Sequence, residues 1–151
     1  MANLETIGPD ILSQPLNNNF AALNSAKMEK VADSDLNMNN RNIQNVNKIG
    51  LRDTSTLTIS NGAITVTQSY HQIDTEGGAP LDELTTINGG NTGDIVILRP
   101  VNSNRDILIK GNGDNGGNIF TYDRSDILMN TITSVVAFIK TATGNWYQIG
   151  L

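Results

Sequence analysis

Ser55-Thr56-Leu57-Thr58-Ile59-Ser60-Asn61-Gly62-Ala63-Ile64-Thr65-Val66-Thr67-Gln68-Ser69 governs the reading of the chain. Apolar and polar residues alternate on both sides of Asn61-Gly62, the period of a strand with one face covered. Asn-Gly tolerates positive φ at both centres of a type I′ turn, so the stretch predicts a β-hairpin. The same signals recur downstream. A strand is expected at His71-Gln72-Ile73-Asp74, ended by Gly77-Gly78-Ala79-Pro80, and further strands at residues 94–98, 106–110, 118–122, 134–140 and 146–149. Turn formers separate these later strands: Gly89-Gly90-Asn91, the glycine-rich residues 111–117, and Thr143-Gly144-Asn145. Short strands at that spacing describe a mainly β unit over residues 51–151, an antiparallel β-sandwich or a β-prism-like knob. Val135-Val136-Ala137-Phe138-Ile139 is apolar on both faces, so this strand belongs at the centre of a sheet or at a subunit interface.

Residues 1–50 read differently. Pro9 and Pro15 punctuate the entry to a short helix over about 16–31, where Leu16, Phe20 and Leu23 fall at i, i+4 and i+7. Its other face carries Asn17, Asn18, Asn24 and Ser25, all poor helix formers, so the helix needs a surface to lie on. Beyond it, Ile43, Val46 and Ile49 recur every third residue among asparagines. That period suits neither a helix nor a flat strand. One short chain cannot bury it, whereas symmetry-related copies wrapped about an axis can.

Composition narrows the function. Of 151 residues, 21 are Asn, 15 Thr and 14 Gly, a third of the chain in residue types that favour turns or strands. Only 38% are hydrophobic and 5% aromatic, so any core is thin. Disorder is not the expectation, because Ile, Val and Thr are plentiful. A net charge of −5 argues against sequence-independent nucleic-acid binding, which needs a basic face. No apolar run approaches the roughly 20 residues that span a bilayer, and Met1-Ala2-Asn3-Leu4-Glu5-Thr6 does not read as a secretory signal. Cysteine is absent, which excludes disulfides and thiol catalysis.

Few residues suggest chemistry. Gly111-Asn112-Gly113-Asp114-Asn115-Gly116 spells G-x-G-x-x-G, but a strand pattern follows it where a dinucleotide site needs a helix, so it reads as a turn. Asn112, Asp114, Asn118 and Asp123 could offer oxygen ligands to Ca²⁺, although the closing glutamate of an EF-hand loop is missing. His71, the single histidine, lies near Ser69 and Asp74. Alternation sets His71, Ile73 and Thr75 on one face and Tyr70, Gln72 and Asp74 on the other, so a surface or interface histidine is expected, not a catalytic one. Asp82-Glu83 reads as a solvated turn. Alternation sets Trp146 and Tyr147 on opposite faces, with core or interface packing expected for Trp146, so at most one can serve as a sugar-stacking surface. These residues predict no enzyme, no cofactor and no bound metal.

Four segments carry a resemblance. Ile7-Gly8-Pro9-Asp10-Ile11-Leu12-Ser13-Gln14-Pro15-Leu16-Asn17-Asn18-Asn19-Phe20-Ala21-Ala22-Leu23 resembles the start of many tailed-bacteriophage fibre proteins, where an x-P-L/V-N-x-N-F-x-x-L segment leads into a helix. Leu36-Asn37-Met38-Asn39-Asn40-Arg41-Asn42-Ile43-Gln44-Asn45-Val46 is similar to the L-x-M-x-x-N-x-I-x-N-V/L segment of phage fibre and spike subunits. Gly93-Asp94-Ile95-Val96-Ile97-Leu98 and residues 142–150 look like β-segments of fibre and head-fibre C-terminal domains. The resemblance implies a homotrimeric structural protein of the virion, fixed to other virion proteins of capsid or tail by its N-terminal segment and displaying a β-rich knob. At this length a short fibre, head-fibre or decoration (cement) protein fits better than a long receptor-reading fibre. On that reading Leu4, Ile7, Ile11, Leu12, Leu16, Phe20 and Leu23 attach to the particle, and Met38, Ile43, Val46 and Ile49 form the trimer interface. The alternative is a receptor- or carbohydrate-binding tip that meets a host-surface glycan through loops 88–93 and 111–118.

Overall fold

The computed structural model describes residues 44–51, 56–113 and 116–150. The helix expected over 16–31, the seven attachment residues, Met38 and Ile43 lie outside the described residues. The chain divides into two units, Met1–Lys48 and Ile49–Leu151. Of the first, residues 44–48 have no regular structure and are exposed. Val46 is 46% exposed there, and Ile49, at the start of the second unit, 76%.

The second unit is mainly β. Its strands are β1 (Leu57–Thr58), β2 (Ala63–Val66), β3 (Tyr70–Asp74), β4 (Leu81–Leu84), β5 (Thr86–Gly89), β6 (Ile95–Pro100), β7 (Asp106–Ile109), β8 (Ile119–Phe120), β9 (Ile127–Met129), β10 (Val136–Lys140) and β11 (Trp146–Ile149). They form a six-stranded sheet ordered β1-β3-β6-β10-β11-β8, a two-stranded sheet β2-β5 and a three-stranded sheet β4-β7-β9.

The chain visits these sheets in rotation. From β3 it passes to β4, then β5, and returns to the first sheet as β6. Each return pairs in parallel with the visit before: Leu57 opposite Ile73, Ala63 opposite Thr86, Tyr70 opposite Ile97, Leu81 opposite Asp106. This is a solenoid-like coil, in which each turn serves as the crossover that parallel strands require. After β7 the direction reverses. β9 pairs antiparallel with β7, and β10 with both β6 and β11.

The parallel coil corrects the expectation of an antiparallel unit, and the decisive stretch shows why. The Asn61-Gly62 turn forms with φ of 51° and 74°. Ser60 and Ala63 exchange backbone hydrogen bonds of 2.9 and 3.1 Å across it. Pairing stops at that bridge, because β1 and β2 belong to different sheets. Ile59, Ile64 and Val66 all bury their side chains in the interior. Separating the strands lets each find a full ladder partner on the next turn of the coil. The Gly62 carbonyl accepts the N–H groups of Thr85 and Thr86, tying this corner to that next turn. Asp82-Glu83 is likewise not a solvated turn but lies within β4, opposite Ile107 and Leu108. Both Asp82 carboxylate oxygens accept backbone N–H groups, from Glu76 at 2.7 Å and Glu83 at 2.8 Å.

A coil this narrow needs little to fill it. Its interior is mostly Ile, Leu and Val, with Phe138 and Trp146 the two large aromatic side chains in the core. At a coefficient of about 25 cal/mol per Å², such aliphatic stacks stabilise a chain whose overall hydrophobic share is low. His71 belongs to this interior with no exposed surface, which corrects the surface or interface histidine expected. Its Nε2 accepts the N–H groups of Thr67 at 3.2 Å and Gln68 at 3.3 Å. A neutral imidazole thus closes the corner between β2 and β3, where the turning backbone has donors to satisfy.

Candidate functional site

The most distinctive surface is the outer face of the six-stranded sheet. Residues directly opposite one another in a ladder share a face. One row runs Ile95, Ile139, Tyr147, Phe120 across β6, β10, β11 and β8. The next runs Tyr70, Ile97, Ala137, Ile149 across β3, β6, β10 and β11. Neither row contains a charged residue. Ile95 is 46% exposed, Tyr147 and Ile149 41% each, and Val135, just before β10, 60%. Beneath them Val96, Leu98, Val136 and Phe138 face the interior. The strand that reads as apolar on both faces is indeed central, between β6 and β11. Trp146 and Tyr147 divide as expected, the indole buried and the phenol exposed.

The two loops named for sugar binding are largely occupied with holding the fold. Asn91 donates its N–H to the Asp94 carboxylate at 2.6 Å. Lys140 Nζ reaches the carbonyls of Gly89 at 2.6 Å and Gly90 at 3.1 Å, and lies 5.6 Å from the centre of the Trp146 ring. A groove of about 440 Å³ beside this loop is lined by residues 66–69, Gly90, Asn91, residues 94–96 and Trp146. In the other loop Asn118 acts as a surrogate peptide group. Its Oδ1 accepts the Ile87 N–H and its Nδ2 donates to the Ile87 carbonyl, both at 2.9 Å. Both ends of that amide are thus engaged in holding β5. Asn112 Oδ1 accepts from Arg124, and Asp123 Oδ1 from the Ser125 N–H. Asp114 lies outside the described residues. Among those described, no three His, Asp or Glu side chains gather as a metal site.

The remaining motifs resolve into structure. Gly111 starts the G-x-G-x-x-G, and a Cβ there would run into the Ser125 carbonyl and the Thr121 hydroxyl, so this glycine answers a packing need. Asp74 pairs with Arg105, Nε to Oδ1 and Nη2 to Oδ2 both at 2.7 Å, on the face of β3 opposite His71, so Ser69, His71 and Asp74 form no triad. Lys110 and Asp126 form the other ion pair among the described residues, at 2.5 Å. The Lys110 ammonium, then the Gly111 N–H, hold the Asp126 carboxyl below its ordinary pKa.

Sequence reading missed a small aromatic cluster at the β8 edge of this sheet. Phe120 and Tyr147 stack with ring centroids 5.1 Å apart and planes 16° from parallel. The Arg124 guanidinium lies 5.9 Å from the centre of the Phe120 ring, and Tyr122 beside them is 75% exposed. The available signal was the outward register of Phe120 and Tyr147, but pairing β8 with β11 requires the fold. Comparison with protein-family models, with curated proteins and with solved structures finds no match to this chain.

Proposed function

We propose that the chain is a structural virion protein of a tailed bacteriophage: a short homotrimeric fibre or decoration (cement) protein attached by residues 1–50 and displaying its β-rich unit. The observation that carries the reading is the pair of uncharged rows on the outer face of the six-stranded sheet, with Ile95, Val135 and Ile149 open to solvent in the single chain. Contiguous apolar patches of that kind mark interaction surfaces. Three copies turned toward one axis would cover the face in a prism-like arrangement, and a stable contact needs about 800 Å² from each partner. Val46 and Ile49 are exposed as well, which leaves them available to neighbouring copies. The motifs near residues 7–23 and 36–46 supply the phage part of the reading. No catalytic step is part of it.

Light scattering at micromolar concentration tests the assembly. Three times 16.3 kDa is expected, falling to the single-chain mass when Ile95→Lys and Ile149→Lys are combined. A monomeric parent chain overturns the homotrimer. A second reading, a carbohydrate-binding tip, is favoured by the exposed aromatic cluster of Phe120, Tyr122 and Tyr147.

A further inference from the structure

We propose that the pocket formed by Phe120, Tyr122, Tyr147, Gln148 and Arg124 binds one ring of a carboxylate-bearing sugar, an inference that rests on the second reading above. These residues, with Thr121, line a cavity of about 270 Å³. That is near the lower end of ligand sites, roughly 300–1,000 Å³, and suits a single ring better than an extended ligand.

Its chemistry is that of a sugar subsite. A pyranose presents apolar C–H edges to aromatic rings and hydroxyls to polar groups around them. Three rings are present, two of them stacked and the third three-quarters exposed. Gln148 Oε1 accepts the Tyr122 N–H at 3.0 Å, which fixes the amide and aims its Nε2 as a donor.

The preference for a negative charge comes from Arg124. Its backbone φ is 64°, a conformation uncommon for a bulky residue and one that clusters at functional sites. That backbone sets the guanidinium against Phe120, where Nη1 donates to the neutral Asn112 Oδ1 at 3.2 Å. Among the described residues no carboxylate pairs with it. Of the described acids near it in sequence, Asp123 is engaged with the Ser125 N–H and Asp126 with Lys110 and Gly111. A planar guanidinium with donors to spare is suited to grip a carboxylate.

The test is a titration of the full chain, followed through its assigned NMR spectrum. The probes are the methyl glycosides of glucuronic, galacturonic and N-acetylneuraminic acids, with methyl glucoside and methyl galactoside as uncharged controls. At least one acidic glycoside should shift the Tyr122 and Tyr147 ring signals and bind about tenfold more tightly than the neutral sugars, the scale of one charge-assisted contact. Arg124→Gln should remove that preference, and Phe120→Leu should weaken all sugars, while solution mass stays that of the parent chain. Shifts confined to other residues overturn this site but leave a carbohydrate-binding tip standing. No shift anywhere overturns both. Equal binding of acidic and neutral sugars overturns the charge preference and with it the proposal. A change in mass on Arg124→Gln makes the cluster part of the subunit contact and overturns it too.

Discussion

The coil of β1 to β7 and the closing strands β9 to β11 solve the same problem by opposite means. In the coil every strand pairs in parallel with a segment a full turn away, so no ladder can form until the chain has gone round. In the closing part β10 and β11 are joined by the short turn at Thr141, where the Thr141 N–H reaches the Asn145 carbonyl at 2.9 Å, and that one pair is local. Long-range parallel pairing must overcome loop closure before it is rewarded, whereas a hairpin does so at once. The closing strands also blunt the coil. Antiparallel β9 and β10 cover the last parallel edges of β7 and β6.

The sharpest way to break this comparison is to remove the residue that joins its halves. Trp146 fills the core from β11, donates Nε1–H to the Ile87 carbonyl of β5 at 3.0 Å, and packs against Gly90. Trp146→Ala should cost about 3–5 kcal/mol in urea denaturation, the usual range for emptying a large aromatic site. Amide exchange should quicken in β5 as well as in β11. Loss of protection in β11 alone would make the two halves separate folding units.

A smaller effect separates a corner from a hairpin. Asn61→Ala forces alanine into a left-handed conformation and should cost about 1–2 kcal/mol. The ladders of β1 with β3 and β2 with β5 should survive in the spectrum, because neither depends on β1 meeting β2. Joint loss of both ladders would mean that the turn, not the coil, organises this region.

The smallest effect tests where the coil hands over to its closing strands, at Lys110 and Asp126. The Asp126 pKa is lowered on folding, so its contribution is present above the unfolded carboxylate value, about 3.9, and is lost as pH falls through the lower folded value. The pair is partly exposed, and Asp126→Asn should cost less than about 1 kcal/mol at pH 7. The difference from the parent should shrink with added salt and vanish below the folded value. A constant difference across that range would assign the loss to packing.

Legibility in the sequence followed the range of the interactions. The bodies of β3, β6, β7, β10 and β11 could be read because alternation and turn formers are local. Their partners could not, since nothing in Tyr70 points to Ile97. β4 escaped because two adjacent acids look solvated until Glu83 is seen at a sheet edge and Asp82 caps two backbone donors. His71 was misread because polarity suggested exposure, while its real work is to accept hydrogen bonds at a buried corner. At the candidate site the outward register of Tyr147 was legible and its stack with Phe120 was not, since that contact joins strands far apart in sequence.

Asn118 has a consequence for how this unit can vary. Where a third strand would complete the β2-β5 sheet, the side chains of Asn118 and Trp146 supply hydrogen bonds to Ile87 in its place. Segments that carry no ladder can lengthen without shifting a register. The positions between Gly113 and Asn118, beyond the Asn112–Phe120 bridge, are therefore the places where insertions are best tolerated. They border the aromatic pocket, so the unit could acquire new surface specificities there while its coil stays unchanged.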